Sequence, residues 1–91
     1  MKPSLMVEYC PKCGWLPRAV WTAQELLITF SDELGQVVLK PSQTAGRFEV
    51  SIDGNSIFDR KTAGRFPEIK ELKKLTRDLI APLKNLGHSE H

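Results

Sequence analysis

The chain has 91 residues; 41% are hydrophobic, and 13 basic against 11 acidic residues leave a net charge of +2. That length predicts one domain over residues 1–91 with a modest core, and the apolar fraction excludes an intrinsically disordered chain. So small a charge points to neither nucleic acid nor a membrane surface as partner, and no run approaches the ~20 apolar residues that span a bilayer.

Residues 1–9 carry one lysine and a short apolar run, without the longer apolar region and cleavage site of a secretory signal. The expected location is therefore the cytoplasm. Leu5 to Tyr9 is a β-compatible run that reads as a buried first strand. It stops at Cys10-Pro11, because proline offers a ladder no N–H. Leu16, Val20, Ala23, Leu27 and Phe30 then recur at steps of three and four, the stripe of an amphipathic helix. Pro17 suits its first turn, and Ser31-Asp32 with Gly35 mark its exit.

Gln36 to Lys40 reads as a second strand closed by Pro41, and Pro41 to Gly46 as a loop. Phe48, Val50 and Ile52 alternate with Glu49 and Ser51, giving a third strand with one buried face. Asp53-Gly54 is a hairpin signal, and Asn55 to Arg60 forms the fourth strand. Pro67 opens the last helix, with Ile69, Leu72, Leu75 or Thr76, Leu79, Ile80 and Leu83 as its buried stripe. Pro82 and Gly87 end it, and residues 84–91 read as a flexible tail. The order β-α-β-β-β-α implies an α/β (α+β) fold: a mixed four-stranded sheet with two helices. A helix between strands one and two makes that pair a parallel βαβ unit.

The two cysteines, Cys10 and Cys13, fall in the first strand-to-helix turn. A bridge across so short a loop restricts the unfolded chain little, so a structural staple is a poor reading. In a reducing compartment such a pair is catalytic or metal-binding. Thiol–disulfide exchange needs a thiolate, and an ordinary cysteine with pKa ~8.5 supplies little at neutral pH. A helix N-terminus brings unpaired N–H groups and partial positive charge to the sulfurs, and Lys12 adds a cation. The first cysteine of such a turn is usually the more exposed, which favours Cys10 as nucleophile and Cys13 as resolver.

Zinc needs four ligands. The remaining nitrogen donors, His88 and His91, lie far off in the tail, and the two residues between them fall short of the usual gap. Neither a metal nor another cofactor is expected. No Ser-His-Asp set, phosphate loop or dinucleotide fingerprint is present. Trp15 borders the cysteine turn, Trp21 reads as core or half-buried, and Phe48 and Phe58 as sheet core. Lys70, Lys73, Lys74 and Arg77 read as a solvated helix face.

Tyr9-Cys10-Pro11-Lys12-Cys13, Arg18-Ala19-Val20-Trp21 and Gln24-Glu25-Leu26-Leu27 resemble the selenoprotein W-like (Rdx) family. So do Gly46-Arg47-Phe48-Glu49-Val50, Asp59-Arg60-Lys61, Phe66-Pro67-Glu68-Ile69-Lys70-Glu71-Leu72-Lys73, Arg77-Asp78 and Leu86-Gly87-His88. The resemblance covers nearly the whole chain, in order. It implies a thioredoxin-like fold and a redox role linked to glutathione or a thioredoxin-type reductant. Animal selenoprotein members of that family carry selenocysteine at the position of Cys13, which implies that the second position can be the reactive one. The order of attack stays open at this point.

Thioredoxins place a cis-proline before their third strand. Here that stretch is Thr44-Ala45-Gly46-Arg47, without proline, and a non-proline cis bond costs ~2.5–4 kcal/mol. A narrow protein partner or a small thiol such as glutathione fits this better than general protein disulfide reduction. Pro11, Lys12, Trp15, Thr44, Gly46 and Arg47 are the expected neighbours of the sulfurs, and Arg47 is a candidate for a glutathione carboxylate. The rival expectation is a binding module: the CxxC loop docks a protein partner, with its oxidation state as the switch.

Overall fold

The structure is a computed structural model, and residues 1–87 are described. The elements are β1 (Ser4–Tyr9), α1 (Leu16–Thr29), β2 (Gln36–Pro41), β3 (Phe48–Ile52), β4 (Asn55–Asp59), α2 (Arg60–Ala63) and α3 (Ile69–Ile80). The strands form one mixed sheet in the order β2-β1-β3-β4. β1 runs parallel to β2, as the intervening helix requires, and antiparallel to β3. The predicted architecture therefore holds, with a third, short helix added.

Burial alternates along the central strands. Leu5, Val7 and Tyr9 of β1 pair with Ile52, Val50 and Phe48 of β3, and all six are buried. Met6, Glu8, Glu49 and Ser51 point to the other face and are partly exposed, so β1 is buried on one face only. Both long helices cover the apolar face, through Ala19, Leu26 and Phe30 of α1 and its exit and through Leu72 of α3. The fold is thus two layers around one core. The β3–β4 turn is built on Asp53 (φ 48°) and Gly54 (φ 84°), the backbone that a two-residue hairpin needs. Ile57 is the extra residue of a bulge opposite Val50 and Ser51.

Four details differ from the expectations. First, α1 buries Ala19, Thr22, Ala23 and Leu26, while Leu16, Val20 and Leu27 are exposed. The helix has two apolar stripes, and the one with the smaller alanines meets the sheet, where small side chains allow close approach. Thr22 tolerates burial because its hydroxyl donates to the Arg18 carbonyl at 2.8 Å. Trp21 lies outside the core cluster, 48% exposed.

Second, β4 stops at Asp59, whose carboxylate accepts the Lys61 N–H at 3.1 Å and so caps α2. Gly64, at φ 75°, closes that single turn.

Third, Pro67 precedes α3 rather than opening it. Glu68 is the N-cap, forming a reciprocal capping box with Glu71. The helix ends at Ile80, ahead of Pro82, so Leu83 falls outside it and is fully exposed, and Leu79 is exposed as well.

Fourth, Lys73 and Arg77 are not solvated. Each side chain is only 13% exposed, and Lys73 Nζ lies 3.4 Å from Glu25 Oε1 of α1. Beyond α3, Lys84 pairs with Glu33 at 3.1 Å and Leu86 packs against the core. His88 and His91 lie outside the described residues.

Candidate functional site

Cys10 follows the last residue of β1 and Cys13 lies two residues before Trp15, the N-cap of α1. The two are joined by a disulfide, with Cα atoms 5.3 Å apart. Between them the chain makes a tight turn. Gly14 N–H donates to the Pro11 carbonyl at 3.1 Å, and Trp15 N–H to the Cys10 carbonyl at 3.4 Å. Gly14 sits at φ 76°, a conformation that costs other residues energy. The first turn of α1 holds no acidic residue and no side chain caps it, so the N–H groups that Pro17 leaves there are not neutralised by a side chain.

The sulfurs are unequal, and not as the position of the first cysteine suggested. Cys10 is buried, 2% exposed, whereas Cys13 is exposed. The reason lies in the sheet. Tyr9 is the last paired residue of β1, flanked by Pro41 of β2 and Phe48 of β3, so Cys10 leaves the sheet between two neighbouring strands and is covered there, 2% exposed. Cys13 is at the far side of the turn, beyond the C-terminal end of β1.

Because β1 and β2 are parallel, their exits lie at one end of the sheet. The loop after β2 therefore meets the cysteine turn, the place where open α/β sheets bind ligands. Ser42 N–H donates to the Tyr9 carbonyl at 2.7 Å, and the Ser42 hydroxyl accepts the Thr44 N–H at 3.0 Å. A cleft of 330 Å³ opens there, lined by Cys10, Pro11, Lys12 and residues Ser42 to Ala45.

Of the expected neighbours, Pro11, Lys12 and Thr44 line this cleft. Gly46 and Arg47 line an adjoining cavity instead. Arg47 is held by two carboxylates, Glu49 at 2.8 Å and Glu8 at 3.7 Å, which face each other across β1 and β3. It is thus engaged on the open sheet face. Trp15 does not line the cleft; it supports the turn from below. Its ring meets Phe66 edge-on at 4.8 Å, and Phe66 meets Phe48 at 5.4 Å. Arg18 lies 3.9 Å over Phe66, and Arg60 4.8 Å from both Trp15 and Phe66.

Sequence reasoning did not single out Ser42, Phe66 or Arg60 for this site. The parallel β1–β2 pairing carried a usable signal for Ser42. Nothing local marks Phe66 and Arg60, which reach the turn only through tertiary packing. Among the described residues no group of His, Cys, Asp or Glu is placed to hold a metal ion.

The family model described as the Rdx family matches residues 4–78, the span from β1 through nearly all of α3. The chain belongs to the Rdx family. Among solved structures, a selenoprotein W-related protein from Vibrio cholerae is 47% identical, with a TM-score of 0.83 over 87% of this chain and 98% of its own. A protein from Bordetella parapertussis is 45% identical, with a TM-score of 0.85 over 88% of this chain and 100% of its own. No curated protein matches the sequence. The thioredoxin-like, selenoprotein W-related fold is thereby shown. The Rdx match includes the whole turn with Cys10 and Cys13.

Proposed function

We propose that the chain is a thiol–disulfide redox protein that cycles its Cys10–Cys13 pair, with Cys13 as the sulfur that exchanges with the partner. The observation carrying this is the asymmetry of the bridged pair: Cys13 is exposed at the approach to a helix N-terminus, and Cys10 is buried at the end of β1. A thiolate at Cys13 attacks a partner disulfide, the partner leaves as one thiolate, and Cys13 holds the other half as a mixed disulfide. Cys10 then attacks Cys13, releasing the second partner thiolate and closing the Cys10–Cys13 bond. Two electrons leave the pair. A glutathione- or thioredoxin-type reductant returns them, and the cytoplasm is the compartment in which that supply is standing. Membership of the Rdx family supports this reading.

The test is the equilibrium reduction potential of the pair, from alkylated protein equilibrated in glutathione buffers. A value of roughly −180 to −300 mV places it among working redox proteins. A Cys10→Ser variant should trap the mixed disulfide at Cys13, and a Cys13→Ser variant should trap none. Full exchange activity in the double variant would end the proposal.

A second reading, a redox-switched binding module, is favoured by one feature. Leu16, Val20, Trp21, Leu27 and Ile28 are all exposed along α1, beginning three residues after Cys13. In that case turnover is negligible and partner capture is lost on oxidation.

A further inference from the structure

The sheet has two outer strands, and they are finished differently. β4 carries a bulge at Ile57 and ends in the polar residues Asn55, Ser56 and Asp59, features that discourage a further strand. β2 pairs with β1 without a register shift and runs Val37-Val38-Leu39 through its middle. Among the described residues no strand pairs with its outer side. Backbone groups alternate between the two sides of a strand. Asp53 N–H donates to the Ser4 carbonyl at 2.9 Å on the β3 side, so Leu5, Val7 and Tyr9 bond toward β2. Ser42 N–H accordingly donates to the Tyr9 carbonyl at 2.7 Å, and Val37, Leu39 and Pro41 turn their backbone groups outward.

The helix above this edge is apolar on the same side. Arg18 lies over Phe66 and Glu25 meets Lys73, so one flank of α1 faces α3. Leu16, Val20 and Leu27 form the opposite flank, and all three are exposed. α1 packs on β1 and β2, and α3 on β4, so that flank overhangs the β2 edge. Leu39 lies on the helix face of the sheet with its partner Val7 and is also exposed. None of these positions carries a charge.

We propose that this side of the molecule pairs with a second copy of the chain, β2 antiparallel to β2, with the two α1 flanks packed across the same two-fold axis. Pro41 has no N–H, so the outward donors of the edge are Val37 and Leu39. An antiparallel pairing centred on Val38 sets each Val37 opposite Leu39 of the second copy and uses both donors and both of their carbonyls. Lys40 then falls opposite the neutral Gln36, and no like charges meet. Strands are about 4.8 Å apart, so helices seated over β1 and β2 come to lie roughly 10 Å from each other across the axis, close to the spacing of packed helices. Two joined strands alone are marginal, and the stripe of Leu16, Val20 and Leu27 supplies the apolar burial. An extended foreign peptide would pair with the strand but leave that stripe bare; a second copy covers both. The two cysteine turns open at opposite ends of the joined sheet, and Trp21 and Ile28, on the outer side of α1, stay exposed.

Sedimentation velocity of the oxidised full chain, up to about 500 μM, should show a monomer–dimer equilibrium. Amide exchange read by NMR should slow at Val37 and Leu39 as concentration rises, while Val38 and Lys40, bonded to β1, exchange slowly throughout. Val38→Lys sets two lysines face to face at the axis, and Val20→Glu puts an acid into the helix contact. Each should weaken the dimer by at least about tenfold, with circular dichroism checking that both variants fold. Ile28→Glu changes an apolar residue outside the contact and should shift the dissociation constant by less than about twofold. A chain that is monomeric at about 500 μM overturns the proposal and leaves the edge to a foreign strand. A dimer that survives both Val38→Lys and Val20→Glu, or that slows exchange at neither Val37 nor Leu39, is built on another surface and overturns it as well.

Discussion

At the scale of single residues, the site depends on two contrasts that a linear reading cannot see. Cys10 and Cys13 are chemically identical in sequence, and only their places relative to the end of β1 make one buried and the other exposed. After full reduction, limiting iodoacetamide should therefore label Cys13 ahead of Cys10, read by peptide mass spectrometry; equal labelling would contradict the packing described. The second contrast is at Gly14. A Cβ there meets no atom within 4 Å, so a substitution costs backbone strain alone. Gly14→Ala should lower stability by about 1–2 kcal/mol, the usual penalty for a left-handed residue, measurable by urea unfolding. Gly14→Asn should cost less, because asparagine tolerates that conformation. A neutral Gly14→Ala would mean that the turn relaxes to another backbone.

The elements show which signals survive translation from sequence to fold. Strands β1 and β3 and the Asp53-Gly54 turn were legible because alternation and turn chemistry are local properties. The face of α1 was not, since Leu16, Val20 and Leu27 make as good a stripe as Ala19, Ala23 and Leu26. Choosing between them needs the sheet. Helix α2 was overlooked although Asp59 and Gly64 are an ordinary N-cap and C-terminal glycine, because a single turn has no periodicity to detect. The start of α3 offers a test of such end effects. Glu71 closes the capping box and takes two hydrogen bonds from Arg65, at 2.9 and 2.8 Å. Those bonds, and then the Glu68 backbone N–H, hold the Glu71 carboxyl below the usual glutamate value. A lowered folded pKa means the contribution is complete above the unfolded value of about 4.3 and disappears as pH falls through the lower folded value. Glu71→Ala should thus cost about 1 kcal/mol at pH 7, mostly the lost cap, with the gap to the unaltered protein closing below about pH 4. A gap that stays constant to pH 3 would assign the cost to packing of the Glu71 side chain rather than to its ionised carboxylate, since alanine is the better helix former.

For the molecule as a whole, the site was legible as a place before it was legible as a set of residues. A strand, a CxxC turn and a helix leading to a parallel strand put two loops at one end of a sheet, whatever their side chains are. Which residues fill that end depends on long-range packing, so Thr44 was anticipated while Ser42, Phe66 and Arg60 were not. The same topology bears on what the disulfide does for stability. The bridge closes a loop only three residues apart in sequence, whereas the core joins β1, β3, α1 and α3. Chain-entropy reasoning gives a loop this short about 2 kcal/mol at most, against the roughly 5–15 kcal/mol typical of a domain. The reduced protein should therefore remain folded, with far-ultraviolet circular dichroism intact and the urea midpoint moderately lower. Leu26→Ala, which empties a buried position facing the sheet, should cost more, about 2–5 kcal/mol. The ordering of the two effects is the decisive result. If reduction destabilises the chain more than Leu26→Ala does, the bridge is a structural staple, and redox cycling would unfold the protein at every turn. If Leu26→Ala costs more, the dithiol and disulfide forms are two states of one folded molecule, as a redox centre requires.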